Sequence, residues 1–132
     1  IRDGADEIDV VINQGLAKVG DWEGVLAEIR AVKESCKGRI LKVIVEACNF
    51  SQEEKLTLCR VVSMSGADFI KTSTGFAAGG ATVEDVLLFR THISPDMRVK
   101  AAGGIRTFEQ AQAMIEAGAD RIGASALVGL VR

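Results

Sequence analysis

Two lysines stand inside apolar, strand-like runs, Asp68-Phe-Ile-Lys71-Thr-Ser-Thr-Gly75 and Arg98-Val-Lys100-Ala-Ala-Gly-Gly104. Lysine is almost never fully buried without a partner or a purpose. Burial and a second ammonium nearby both disfavour the charged form, so such a pair leaves one amine neutral and nucleophilic near neutral pH. An ordinary lysine titrates near ~10.4, and a shift to ~7–8 is within what burial and a like charge deliver. The chemistry is imine formation with a carbonyl compound. The imine then acts as an electron sink for charge on the neighbouring carbon. Asp9, in Glu7-Ile-Asp9-Val-Val-Ile-Asn13, is a carboxylate able to move protons through a trapped water.

A repeat marks the elements that hold these groups. Gly-Ala-Asp occurs at 4–6, 66–68 and 118–120, each time followed at once by a short apolar run. Glycine suits the left-handed position after a helix, so each copy predicts a helix-to-strand joint. Three residues beyond each aspartate stand Asp9, Lys71 and Gly123, while Ile8, Ile70 and Ile122 come one place earlier and face the other side of the sheet. Strands are predicted over Glu7–Asn13, Ile40–Glu46, Asp68–Thr72, Val99–Ala102 and Arg121–Ala124. Between them, Trp22, Val25, Leu26, Ile29 and Val32 recur at helical spacing behind a capping Asp21. The later helices open on capping boxes: Ser51 with Glu54, Thr82 with Asp85, and Thr107 with Gln110.

Strands alternating with helices of this length give βα units and a parallel sheet. An open doubly wound sheet has helices on both faces. That leaves no place for Asp9, Lys42, Glu46, Lys71 and Lys100, which alternation puts on one side. A (β/α)8 barrel has an interior that takes such a set at its C-terminal mouth. The expected fold is α/β, a partial TIM barrel: one domain over 1–132 with about five βα units, corresponding to strands 4 to 8 of a barrel of ~250 residues. Ile1 to Gly4 reads as the tail of a helix and Leu127 to Arg132 as the start of another, so the chain is expected to be truncated at both ends.

Composition narrows the function classes. A net charge of -2 with both signs interspersed gives no basic stripe, which argues against nucleic acid or a membrane as partner and for a small metabolite. No apolar run approaches the ~20 residues that span a bilayer. Cys36, Cys48 and Cys59 are odd in number, without paired spacing or a secretory leader, which points to a reducing cytoplasm. Cys48 follows a strand and is expected to be a small buried hydrophobe rather than a reactive thiol. His92, the one histidine, closes a helix, and no metal site is expected.

Five blocks, Glu7 to Asn13, Lys42-Val-Ile-Val-Glu46, Gly66 to Gly75, Val99-Lys100-Ala-Ala-Gly-Gly-Ile-Arg106 and Arg121-Ile-Gly-Ala-Ser125, closely resemble the deoxyribose-phosphate aldolases, in order and at that family's spacing. Gly79-Gly80-Ala81-Thr82 resembles the form common among bacteria. The resemblance implies a class I aldolase, working without metal or other cofactor, that reversibly cleaves 2-deoxy-D-ribose 5-phosphate to acetaldehyde and D-glyceraldehyde 3-phosphate. It implies Lys71 as the imine-forming lysine, Lys100 as the second lysine whose charge lowers it, and Asp9 as the proton-relaying carboxylate. It implies Lys42, Thr74, Gly75, Gly103, Gly104, Arg106, Gly123 and Ser125 as substrate-binding, with the glycine segments and Ser125 at the phosphate. Where that family often has Gly-Ala-Ser-Ser, this chain has Gly123-Ala-Ser125-Ala126, one hydroxyl fewer for the phosphate. A homo-oligomer is expected.

Each residue also has a plainer reading. Lys71 and Lys100 taken singly are strand-end lysines whose ammonium groups reach solvent along apolar stems. Lys42 and Glu46 are structural charges in salt bridges as readily as site residues. Gly103-Gly104 serves equally as a tight turn. Two further functions stay open: another imine-forming barrel aldolase, and an incomplete barrel that acts only by association, since exposed sheet edges invite pairing.

Overall fold

The computed structural model describes residues 7–75 and 79–123. The first Gly-Ala-Asp joint, both terminal segments read as helix, Ala124 and Ser125 lie outside the described residues. The strands are β1 (Glu7–Val11), β2 (Ile40–Ile44), β3 (Phe69–Lys71), β4 (Arg98–Ala102) and β5 (Arg121–Gly123). The helices are α1 (Gln14–Lys18), α2 (Trp22–Ser35), α3 (Gln52–Met64), α4 (Val83–His92) and α5 (Phe108–Ala117), with a 3-10 turn over Ala47–Asn49.

All strand pairs are parallel and the strand order equals the chain order. A doubly wound sheet reverses its order at a switch point, and no reversal occurs among the described strands. The helices follow suit, α2 packing on α3, α3 on α4 and α4 on α5. Their apolar side chains, among them Val25, Ile29, Leu58, Val62, Val86, Phe89 and Met114, join one core with Leu41, Val43, Val45, Ile70, Val99 and Ala101 from the sheet. The strand residues of that core sit on one side by alternation. Ile44, Phe69 and Ala102 are buried too, but on the opposite face and apart from the main core.

That opposite face is concave. Neighbouring parallel strands lie about 4.8 Å apart, so β1 and β5 would be about 19 Å apart in a flat sheet. Yet Arg121 Nη1 on β5 donates to Glu7 Oε1 and Oε2 on β1, at 2.8 and 2.9 Å. Two side chains meet across the sheet only if it curls, and the curl is that of an arc of a barrel.

The recurring Gly-Ala-Asp has a mechanical cause beyond its turn. Gly66 and Gly118 take the positive φ expected of them, 86° and 121°. The aspartate then staples two strands. Asp68 Oδ2 accepts from the Leu41 N–H on β2 at 2.8 Å and from Lys33 Nζ on α2 at 2.7 Å. Asp120 Oδ2 accepts from the Val99 N–H on β4 at 2.8 Å and from Arg90 Nη1 on α4 at 3.3 Å. Each carboxylate thus ties the strand it opens to the preceding strand and to the helix before that.

Asp21 and the boxes at Ser51 and Thr107 form as expected. At Thr82 only half a box forms. The Thr82 hydroxyl accepts from the Asp85 N–H, but the buried Asp85 carboxylate goes to Lys55 Nζ at 2.6 Å. α1 and the 3-10 turn are additions, too short to show periodicity. Asn13 leaves the strand expected there to cap α1, its side chain accepting from the Leu16 N–H at 3.1 Å. Among the described residues no helix is long and apolar enough to cross a membrane.

Candidate active site

The concave face carries the polar set that alternation places there. In register, Asp9 lies beside Lys42, and Ile44, Lys71, Lys100 and Arg121 form a row across β2 to β5. Three cations stand side by side in that row, so their neighbours decide which of them stays charged. Lys71 Nζ reaches Asp9 Oδ2 at 3.0 Å, and Arg121 reaches Glu7. Lys42 Nζ, on a residue 6% exposed, contacts Glu7 Oε1 at 2.7 Å and Asp9 Oδ1 at 3.3 Å. Both β1 carboxylates are then taken by the flanking cations. Lys100, in the middle, forms no ion pair among the described residues.

Burial and the neighbouring charges together set the proton affinities. The Glu7 carboxyl is drawn from its ordinary 4.5 to about 2, by the hydrogen bond from Lys42 first and that from Arg121 next. Burial pushes the Asp9 carboxyl up, but the hydrogen bond and charge of Lys71, with Lys42, outweigh it and hold the group below the usual range. Burial also works against the Lys42 ammonium, and is outweighed by Glu7 and Asp9, so that lysine is held above the ordinary value. For Lys100 burial is not outweighed. Burial, then the ammonium groups of Lys42 and Lys71, push its amine below the ordinary lysine range, with Asp9 only partly opposing. The sequence reading makes Lys100 the donor of charge; in the structure Lys100 is itself an amine held low, with Lys71 among the charges responsible.

The mouth above this row is built by close backbone approaches. Thr72, fully buried, bridges to β4 through its hydroxyl, which donates to the Ala102 carbonyl and accepts from the Ala102 N–H, both at 3.1 Å. That fixes the strand ends just beyond Lys71 and Lys100. Glu46, 5% exposed and left-handed at φ 55°, accepts from the Thr74 N–H at 2.9 Å and its hydroxyl at 2.7 Å. Gly75, Gly103 and Gly104 all have positive φ, and the Ala81 N–H donates to the Gly103 carbonyl at 3.0 Å. A Cβ on Gly80 would lie 2.3 Å from that same carbonyl oxygen, so two glycine-bearing loops touch backbone to backbone.

Of the residues expected at the site, Asp9, Lys42, Lys71 and Lys100 come together as one cluster, and Gly75, Gly103 and Gly104 line the mouth. Thr74 is held by Glu46. Arg106 is exposed at the start of the α5 segment, where its N–H donates to Gln110 Oε1. Gly123 sits on the concave face beside Ala102. Ser125 lies outside the described residues. Cys48 corrects its expectation: it is exposed in the 3-10 turn, because β2 ends at Ile44 and the chain beyond it turns out toward the mouth. Glu7 and Arg121 belong to the cluster but are not among the expected site residues. Their signal is spacing, since Glu7 is two before Asp9 and Arg121 two before Gly123 on the same face.

The model of the DeoC/LacD family aldolases matches residues 1–130. The deoxyribose-phosphate aldolase of Thermococcus gammatolerans is 56% identical over 133 residues, covering 99% of this chain and 59% of the relative. That of Thermotoga petrophila is 53% identical over 132 residues, covering 100% and 53%. Among solved structures, "QR15, an Aldolase" superposes with a TM-score of 0.90 at 44% identity, over 95% of this chain and 57% of the other. The deoxyribose phosphate aldolase from Aeropyrum pernix, described as a unique tetrameric structure, gives 0.87 at 35%, over 96% and 54%. The chain spans between half and two thirds of the length of these relatives.

Proposed function

Because this chain belongs to the DeoC/LacD family of aldolases, we propose that it serves an imine-forming aldolase that reversibly cleaves 2-deoxy-D-ribose 5-phosphate to acetaldehyde and D-glyceraldehyde 3-phosphate. The observation that carries this reading is the lateral pair of lysines, Lys71 on Asp9 and Lys100 with no carboxylate. Three cations, Lys42, Lys71 and Arg121, hold the two carboxylates Glu7 and Asp9, and Lys100 is a fourth cation beside them. An excess of positive charge over negative in one cluster favours the loss of a proton from its amines. The neutral amine of Lys71 attacks the C1 aldehyde of the open-chain sugar, and loss of water from the carbinolamine leaves an iminium. Asp9, through water, takes the proton of the C3 hydroxyl as the C2–C3 bond breaks. D-Glyceraldehyde 3-phosphate departs and the electron pair moves into an enamine. Protonation of the enamine carbon and hydrolysis then release acetaldehyde and restore the amine.

Lys42 holds Asp9 and Glu7 in place. Gly75, Gly103, Gly104 and Gly123, with Thr74, Arg106 and Ser125, are assigned to the substrate and its phosphate. Consecutive left-handed glycines present backbone N–H groups suited to an anion, and the loops after the last two strands are the usual phosphate site of this fold. The substrates are a phosphosugar and an aldehyde, in the cytoplasm, and a homo-oligomer is supported by the tetrameric relative.

Trapping with acetaldehyde and cyanoborohydride, followed by peptide mapping, tests the assignment. A reduced ethyl adduct on Lys71 supports it, and adducts confined to surface lysines overturn it. One observation favours a second reading: Lys100 is the amine held low, and an adduct there instead would make Lys100 the nucleophile.

A further inference from the structure

Gly123 differs from the other glycines of the mouth. Gly75, Gly103 and Gly104 need glycine because their φ is positive, whereas Gly123 is not among the positive-φ residues. Its backbone accepts any side chain, so the reason for glycine lies in the space around it. A Cβ built there would lie 3.1 Å from Lys100 Cε, 3.3 Å from Ala102 Cβ and 3.8 Å from Lys100 Nζ. Register explains the encounter. Lys100 pairs with Arg121 and Ala102 with Gly123, so Gly123 is the diagonal neighbour of Lys100 toward the mouth. The lysine stem leans along the strand direction, as strand side chains do. It ends in a notch made by the two smallest side chains on that face.

We infer that Gly123 is a positioning residue for Lys100: its missing Cβ leaves the room in which the end of that lysine rests, between β5 and Lys71. The catalytic consequence rests on the aldolase reading above, but the geometry does not. A Cβ at 123 makes the Lys100 terminus give way from β5 by a few tenths of an ångström. Contact at 3.1 Å with the flexible end of a lysine is relieved by movement of that lysine, not by loss of the fold. On the side away from β5 lies β3, where Lys71 pairs in register with Lys100, so a shift off β5 brings the ammonium nearer that of Lys71. The charged groups facing Lys100 are Glu7 and Asp9 from β1, Lys42 from β2, Lys71 from β3 and Arg121 from β5, with Arg98 on its own strand. Of these only the two carboxylates oppose the effect, and both are already held by other cations.

The test reads Lys100 itself. In protein labelled with 13Cε-lysine, the Lys100 resonance is identified by its loss in Lys100→Met, and its pH titration is compared with that of Gly123→Ala. The expected result is a midpoint moved toward acid by several tenths of a pH unit in the alanine variant. A nuclear Overhauser contact between the Lys100 Hε and Gly123 Hα protons of the unmodified protein is also expected, and it needs no variant. An unmoved midpoint, or no such contact, overturns the inference. So does an effect of Gly123→Ala confined to KM for the phosphorylated sugar, with acetaldehyde trapping unchanged, which would make the glycine a phosphate residue only. If Lys100 shifts while the unmodified protein traps no acetaldehyde, the aldolase reading fails and the inference stands. The reverse pattern separates them the other way.

Discussion

Replacing Asp9 by asparagine separates two things that one carboxylate does here. Asp9 holds Lys71 at 3.0 Å and Lys42 at 3.3 Å, so its charge retains protons on the amines around it. Two unit charges 3 Å apart attract by about 1.4 kcal/mol in water and about 5.5 kcal/mol at an effective dielectric constant near 20. The Asp9 side chain is 34% exposed, which places the pair toward the watery end. The asparagine carbonyl still accepts from the ammonium, which reduces the loss further. About 1.4 kcal/mol remains, and that is about one pH unit. The sign is fixed: without the carboxylate the amines release protons more readily. The pH midpoint of acetaldehyde trapping by cyanoborohydride should therefore move toward acid by about one unit in Asp9→Asn. Turnover of 2-deoxy-D-ribose 5-phosphate, followed by a coupled assay for glyceraldehyde 3-phosphate, should fall by about 10²- to 10⁴-fold as the relay is lost. Easier imine formation with poorer turnover is the signature. A midpoint that stays put or moves toward alkali refutes the charge argument, and unimpaired turnover refutes the relay.

Glu7 links both edges of the arc, and its carboxyl lies at about 2 against an ordinary 4.5. The stability it contributes is present above about 4.5 and is lost as pH falls toward about 2. Thermal unfolding of Glu7→Gln between those limits should depend less on pH than that of the unmodified protein, and identical slopes would remove Glu7 from the account. Lys100→Met deletes a cation that no carboxylate offsets. It should stabilise the fold by about 0.5–2 kcal/mol while turnover drops, as happens when a strained site is relieved. Since Lys100 is held low in the fold, the unfolded chain binds its proton more tightly, and stability should rise with pH toward the ordinary value of 10.5. The methionine variant should lose that slope; a lower melting temperature with the slope intact would count against the reading.

Much of this was legible in the chain because side chains alternate along a regular strand. Once Gly-Ala-Asp fixes where β3 and β5 begin, Lys71 and Gly123 must share a face, and Ile70 and Ile122 must take the other. The parallel sheet and its helices follow from the same rhythm. Partner choice does not. Whether Asp9 goes to Lys42, Lys71 or both depends on how far the sheet curls, and no local pattern encodes curl. A charge opening a strand reads as solvated, so Glu7 and Arg121 fall outside the expected site although their spacing puts them in it. Short elements escape for another reason. α1 and the 3-10 turn are set by one cap and one left-handed residue, Asn13 and Glu46, which is too little sequence for a period.

Curvature is also what makes the chemistry available. In a flat sheet the carboxylates of β1 would reach only β2, and Lys71, Lys100 and Arg121 would repel one another with nothing to hold them. Curling brings Glu7 to Arg121 and Asp9 to Lys71, which satisfies the two ends of the row and leaves its centre short. The deficit falls on Lys100 because β1 supplies two anions and the face needs more. Phe69, buried on that face, adds a ring 4.7 Å from the Arg121 guanidinium and 5.9 Å from that of Arg98, which favours the cations at those two positions. Such an arrangement costs stability. The apolar core on the convex side, formed by the other half of every strand, offsets that cost. The same alternation that separates the two faces therefore lets one hold the fold together while the other keeps an amine short of a counterion.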